Sequence, residues 1–413
     1  MRHELIATLA WVSAASALAP LVAAVLPRRL LPVVIVEIVL GMLAGTSGFA
    51  FVTPNAALEL LGLVGFAALM FVSGIEIDLG ILARNADSTG GPRRPLLMSV
   101  AMVLATFVLS SLGAALIWHG TRPIVELLFL ALVLSTTSVA IVVPTLKERA
   151  LTACAFGQIV LACAILADLL TMLGVSMLGA SIAGGDVAKS ALPLLFVAVA
   201  ALVAGLVWHL ARSPAFAALF ARLDSPTSRL PMRAAFALLF ALAWLAQGFG
   251  AELVLAAFVA GIAVGAISPH GSALRERIEA SGFGFLIPMF FFSVGVGFDL
   301  PALLASPQTL AAMPALIALA YANKLVPMLP LARWFAWREV LGGGALLSAR
   351  LSLVIAAAAI GARLGVIDAA LNAAIILLAM FTCIISPALF NLLLPSVFID
   401  GERRTRKSEM KVR

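Results

Sequence analysis

Long uninterrupted apolar stretches separated by short polar connections dominate this chain, and no segment alternates with period two. Thirteen stretches of 16 to 29 residues are each about long enough to cross a bilayer core as a helix. They predict spans at Glu4–Leu26, Leu30–Phe51, Asn55–Ile75, Pro95–Trp118, Pro123–Thr145, Ala153–Ala180, Ala191–Leu210, Arg233–Phe249, Ala251–Ile267, Phe283–Phe298, Thr309–Leu331, Val340–Ala362 and Ala369–Val397. The runs are rich in Leu, Ala and Val, so the expected fold is all-α, a polytopic membrane helical bundle, and a β-barrel is excluded. The longest connections, 76–94 and 213–232, are too short for a soluble domain, and a basic tail, 401–413, closes the chain.

Composition agrees. Of 413 residues, 63% are hydrophobic and 11% charged, against about 25% charged in soluble domains. Cys154, Cys163 and Cys383 lie inside apolar runs without metal-ligand spacing and read as small packing residues. The net charge of +7 is an orientation signal. With the N-terminus outside, 21 basic residues fall on the cytoplasmic side, including Arg28, Arg29, Arg93, Arg94 and the tail, against four outside. This positive-inside bias predicts a multi-pass protein of the cell inner (plasma) membrane, N-terminus outside and C-terminus cytoplasmic. The basic residues are dispersed, without an aromatic platform, so the lipid bilayer is a partner and nucleic acid is not. Ala17-Leu18-Ala19 resembles a signal-peptide cleavage site. Cleavage there would invert every later basic cluster, so the first run is read as a span.

Two echoes recur seven spans apart. The stretch from Phe71 to Leu79 resembles that from Phe292 to Leu300, and Glu37-Ile38-Val39-Leu40 resembles Glu252-Leu253-Val254-Leu255. An odd separation reverses the second copy, which predicts an inverted-topology repeat of the kind found in secondary transporters.

The charges left inside the membrane are the candidates for function, since each costs at least about 2.5–3.5 kcal/mol at bilayer depth. Lys324 and Arg350 are the two basic side chains within spans, and Asp168 is the acid nearest a span centre. Glu37 is placed less deeply, and Glu59, Glu126 and Glu252 sit near span beginnings. A proton and a small monovalent cation can compete for one desolvated carboxylate such as Asp168, and a site that holds either in turn is sufficient for antiport. The other reading is a structural pairing of Asp168 with Lys324 or Arg350. Lys324 could alternatively snorkel to a span end. Gln158 either lines a cavity or bonds a neighbour. Ser135, Thr136, Thr137 and Ser138 place four hydroxyls in mid-span, enough to line an unwound segment with oxygen ligands. The repeat offset carries that span onto Val340–Ala362, where Gly342-Gly343-Gly344 and Ser348-Ala349-Arg350 interrupt the apolar pattern. Small residues for close helix packing are the other explanation of the glycines. His3, His119, His209 and His270 are scattered, and no nucleophile or metal cluster suggests an enzyme.

Taken in order, the stretches Glu37 to Gly48, Phe71 to Leu79, Ser135 to Glu148, Gly157-Gln158 leading to Asp168, Ala257 to Gly261, Phe291 to Leu300, and Lys324 resemble the monovalent cation/proton antiporter superfamily. The likeness is to its bacterial Na+/H+ and K+/H+ branch, the sodium/hydrogen exchanger family. The resemblance implies a thirteen-helix homodimer working by elevator-like alternating access, without a cofactor. It implies core helices at about 95–180 and 309–397 with two crossing broken helices, Pro123–Thr145 and Val340–Ala362. Dimerisation helices would lie at about 4–82 and 191–298, the third and tenth spans lying between the two groups. It also implies that Asp168 binds the cation and the proton beside Thr136, Thr137 and Ser138, and that Lys324 stabilises the site or couples the proton.

This chain departs from the pattern at Ala167, where many members carry Asp, Asn or Gln. One carboxylate instead of two favours electroneutral exchange. Arg350 lacks the Gly-Glu that often follows it in related sequences, and the nucleotide-binding domain of some K+/H+ members is not found. The competing reading is a noncatalytic cation-binding or sensory membrane protein that kept the fold.

Overall fold

The computed structural model describes residues 2–25, 32–77, 95–118, 122–149, 151–184 except 153, 191–214, 222–268 except 224 and 226, and 273–394. Arg28, Arg29, Arg84, Arg93, Arg94, Lys189, the tail 401–413, and Asp78, Leu79 and Leu82 of the repeat echo lie outside the described residues. Among the described residues the structure is helical, with no strand.

The helices are α1 (Arg2–Val25), α2 (Val33–Ala44), α3 (Ala56–Ile75), α4 (Pro95–Trp118), α5 (Ile124–Ser135), α6 (Val139–Glu148), α7 (Ala155–Gly184), α8 (Leu192–Ala211), α9 (Leu230–Gly248) and α10 (Leu253–Ile267). After them come α11 (Ala273–Ser281), α12 (Ile287–Val296), α13 (Leu300–Leu304), α14 (Pro307–Met328), α15 (Trp337–Leu347), α16 (Ser352–Arg363) and α17 (Ala369–Leu393). Counting α5–α6, α11–α12 and α15–α16 as single spans, eleven among the described residues are long and apolar enough to cross a membrane, and α2 and α10 are shorter apolar helices. This is a multi-pass membrane protein.

Local chemistry sets many boundaries. Asn55 caps α3, its side chain accepting from Leu58 N at 2.9 Å, and Asp368 caps α17 by accepting from Leu371 N at 2.7 Å. Pro288 has no N–H to offer in the helix, and a π turn, Gly282–Leu286, joins α11 to α12 just before it. The second span differs from expectation. It was predicted to run to Phe51, but α2 stops at Ala44 and the chain turns, with Ala50 N bonded to Gly45 O at 2.9 Å and Val52 N to Ala44 O at 2.8 Å. Gly45, Thr46, Ser47 and Gly48 are poor helix formers. Ser47 in addition holds the tenth span's end, donating to Phe298 O at 2.5 Å and accepting from Leu300 N at 3.0 Å.

Packing divides the chain into two compact units. The first comprises Met1–Gly80, Leu169–Leu310 and Ile355–Ile376. Within it, α2 crosses α12 and α3 crosses α10 with bare backbones at the contacts. A Cβ on Gly41 would lie 2.9 Å from Gly295 Cα, and one on Gly74 would lie 2.9 Å from Gly261 Cα. These are small-residue crossings of the kind that let membrane helices pack backbone to backbone. The second unit comprises Ile81–Asp168, Ala311–Val354 and Leu377–Arg413, and it contains both helix breaks.

Candidate functional site

The second unit is organised around the crossing of two interrupted helices. Between α5 and α6, residues 136–138 leave the helical conformation, Thr136 and Ser138 being extended. The cause is local: Ser135 Oγ donates to Leu132 O and Thr136 Oγ1 to Val133 O, each at 2.8 Å, so hydroxyls occupy carbonyls in the last turn. Between α15 and α16, residues 348–351 break the second helix, with Ser348 Oγ donating to Gly344 O at 2.9 Å. The breaks bond directly to each other. Ser138 N donates to Ala349 O at 2.9 Å, and Thr137 Oγ1 donates to Leu347 O at 3.0 Å.

A helix ending inside the membrane leaves carbonyls without partners and a partial negative charge. Here Asn323, Lys324 and Arg350 supply the donors. Lys324 Nζ donates to Ser135 O at 2.6 Å, Asn323 Nδ2 to Leu134 O at 2.8 Å, and Arg350 to Leu134 O at 2.7 Å. Arg350, fully buried, also donates to Ala320 O at 2.9 Å and Asn323 Oδ1 at 3.0 Å, while Asn323 donates to Ser110 Oγ of α4 at 2.7 Å. The terminal nitrogen Nη2 of Arg350 thus ties α5, α14 and the second break together, while its Nε and Nη1 are buried without a partner.

Asp168, on α7 and 4% exposed, occupies the opposite pole. The backbone N–H groups of Thr137 and Val139, at the start of α6, point at its carboxylate. The positive end of a half-helix therefore faces an acid, an arrangement that favours negative charge. Asp168 Oδ1 and Ser138 Oγ are buried without a hydrogen-bond partner. Among the described residues no ion pair within 4.0 Å joins Asp168 to Lys324 or Arg350. The structural pairing considered from sequence is therefore absent, although Lys324 lies within electrostatic reach of Asp168. Lys324 also does not snorkel, being 4% exposed and bonded inward. A void of about 10 Å³ beside it, lined by Thr106, Cys163 and Leu347 among others, is about the size of one water.

The structure thus gathers Thr136, Thr137, Ser138, Asp168, Lys324 and Arg350 in one unit. It does not bring Gln158 to them. Gln158 lies ten residues before Asp168 on the same helix, about 15 Å away along the axis. Glu37 belongs to the first unit, buried with Oε2 unpartnered. The glycine triplet is also not a break: Gly342–Gly344 are helical, and a Cβ on Gly343 would lie 2.8 Å from Phe156 Cζ and from Met328 Cε. Close packing explains them, and the interruption begins at Ser348. Asn323 was missed, although an amide directly preceding the buried Lys324 was a usable signal.

A bundle of apolar spans in which two broken helices cross beside a buried carboxylate is an architecture shared with antiporter folds. Consistent with it, a solved structure of the sodium proton antiporter MjNhaP1 from Methanocaldococcus jannaschii superposes with a TM-score of 0.63 at 15% identity, covering 95% of this chain and 97% of that one. At that identity the likeness establishes the fold. The family model for the sodium/hydrogen exchanger transmembrane region matches residues 13–394, and this chain belongs to that family. Among relatives, YjbQ of Bacillus subtilis is 33% identical over 383 residues, 91% of this chain and 61% of YjbQ. The high-affinity Na(+)/H(+) antiporter NhaS3 of Synechocystis is 27% identical over 347 residues, 82% of this chain and 71% of NhaS3. The chain thus spans about three fifths of the length of YjbQ.

Proposed function

We propose that the protein exchanges a monovalent cation, Na+ or K+, for protons across the membrane by alternating access, with Asp168 as the group that carries each in turn. The observation that carries this reading is the buried Asp168 carboxylate with one oxygen unpartnered, beside the unpartnered Ser138 hydroxyl and the N-terminus of α6. A buried polar oxygen without a donor costs about 1–3 kcal/mol, and a proton or a desolvated cation supplies what it lacks. Family membership and the printed function of NhaS3 support the same reading.

Thr136, Thr137 and Ser138 hold the unwound segment in place, and Ser138 Oγ is available as a further oxygen ligand. Lys324 and Arg350 neutralise the C-terminal end of α5 and keep the broken helix intact. Ala167 is buried beside Asp168, so one carboxylate exchanges one cation for one proton, and the cycle is electroneutral. The basic loop residues support an inner-membrane placement with the N-terminus outside. The family resemblance supports a homodimer, a division into moving core and dimerisation helices, and an inverted repeat. The glycine crossings fit that repeat, because exchanging the second span for the ninth and the third for the tenth converts one crossing into the other.

The test is Asp168→Asn in proteoliposomes containing a pH-sensitive dye. Cation-driven proton movement is expected to fall to background, and full activity would sink the mechanism. Cation binding by the wild type with no proton movement would instead mark a sensory protein.

A further inference from the structure

We propose that Arg363, through its ion pair with Glu252, sets how strongly one face of the protein attracts the transported cation. This rests on the exchange reading and adds a residue that tunes it from a distance. The first unit lines an open cavity of about 880 Å³ whose wall includes Glu59, Glu252, Ser293, Arg363 and Asn372. Glu59 is exposed in the first turn of α3, Glu252 immediately precedes α10, and Arg363 ends α16. Arg363 donates to Glu252 Oε2 at 2.9 Å, their side chains 58% and 18% exposed.

Part of the cavity wall is the helix that follows the second break in sequence. Helix α16 starts at Ser352, directly after the break, and its residues Ile355, Ala356, Ala359 and Ile360 line the cavity before it ends at Arg363. The first of these lies about 4.5 Å along the helix from Ser352, and Arg363 about 16 Å. A cation in this cavity therefore stands beside the helix that leads from the crossing.

With the pair intact, the three charged groups sum to one negative charge, that of Glu59. Without Arg363 the wall carries two negative charges, and without Glu252 it carries none. A unit charge about 8–10 Å away in water changes local cation occupancy about twofold at low ionic strength, and salt screens the effect. Arg363 at a helix C-terminus and Glu252 at a helix N-terminus would also suit a purely structural tie. The two roles predict opposite patterns. Arg363→Gln and Glu252→Gln break the same tie but change the charge in opposite directions.

The experiment measures KM for Na+ and for K+ applied separately to each face of oriented proteoliposomes, at low ionic strength and again with choline chloride added. Arg363→Gln is expected to lower KM about twofold from one face, and Glu252→Gln to raise it about twofold from that face, with maximal rates kept and both shifts collapsing in choline chloride. Glu59→Gln leaves the pair intact and should raise KM on the same face, which keeps the proposal testable if a pair variant fails to fold. Shifts of the same sign for Arg363→Gln and Glu252→Gln, equal shifts at both faces, or insensitivity to choline salt overturn it. A wild type that moves no protons overturns the exchange reading together with this one, whereas an active wild type with unchanged variants overturns this one only.

Discussion

Helices approach most closely in two kinds of place, and the chemistry at each is opposite. In the first unit, Gly41 meets Gly295 and Gly74 meets Gly261, each of the four glycines lying within a helix. Proximity is obtained there by removing side chains, and each backbone keeps its own hydrogen bonds. In the second unit, residues 136–138 and 348–351 cross with both helices interrupted, and the freed backbone groups bond to each other or to Asn323, Lys324 and Arg350. The glycine crossing is made backbone against backbone. The broken crossing is polar and unfinished, because Asp168 Oδ1 and Ser138 Oγ still lack partners.

The sharpest way to break this comparison is to fill a glycine contact. A Cβ on Gly295 would lie 2.8 Å from Gly41 Cα, so Gly295→Val should destabilise the protein by about 3 kcal/mol or more. The fall would show as loss of folded protein in detergent melting, and a melting temperature like the wild type's would mean the crossing can slide apart. Next, Arg350→Met keeps the volume but removes the donors to Leu134 O, Ala320 O and Asn323 Oδ1. It should cost about 2 kcal/mol and lower exchange, and an unchanged melt would show that the break does not depend on this residue. The smallest effect is expected for Lys324→Ala. Ser135 O loses its charged donor, and the pH profile of exchange should shift by more than the apparent cation affinity changes. An identical profile would remove Lys324 from proton coupling.

Much of this was legible from residues in one dimension. The span Pro95–Trp118 is found with the predicted limits, and Asn55 caps α3 where the third span was expected to begin. The hydroxyl run 135–138 marks the first break because those side chains compete for their own helix's carbonyls, which is a local effect. The second span was overestimated because apolar residues resume at Phe49 to Phe51, whereas the helix stops at the intervening Gly-Thr-Ser-Gly run, where Gly45 also lies against Val296. Gly342–Gly344 were misjudged in the other direction. Composition does not distinguish a glycine that breaks a helix from one that admits Phe156 and Met328.

Taken by itself, the sequence determined that the chain is a helical membrane bundle, which residues are charged at depth, and where the first helix breaks. Each of these follows from transfer free energy or from hydrogen bonds within a turn. Only the tertiary structure decided the partners. Lys324 and Arg350 turn to the carbonyls at the end of α5 instead of pairing with Asp168, and Asn323 joins them. The physical reason is that a helix end buried far from water must be given donors from elsewhere in the chain. Which side chains are close enough to serve depends on how segments nearly two hundred residues apart cross.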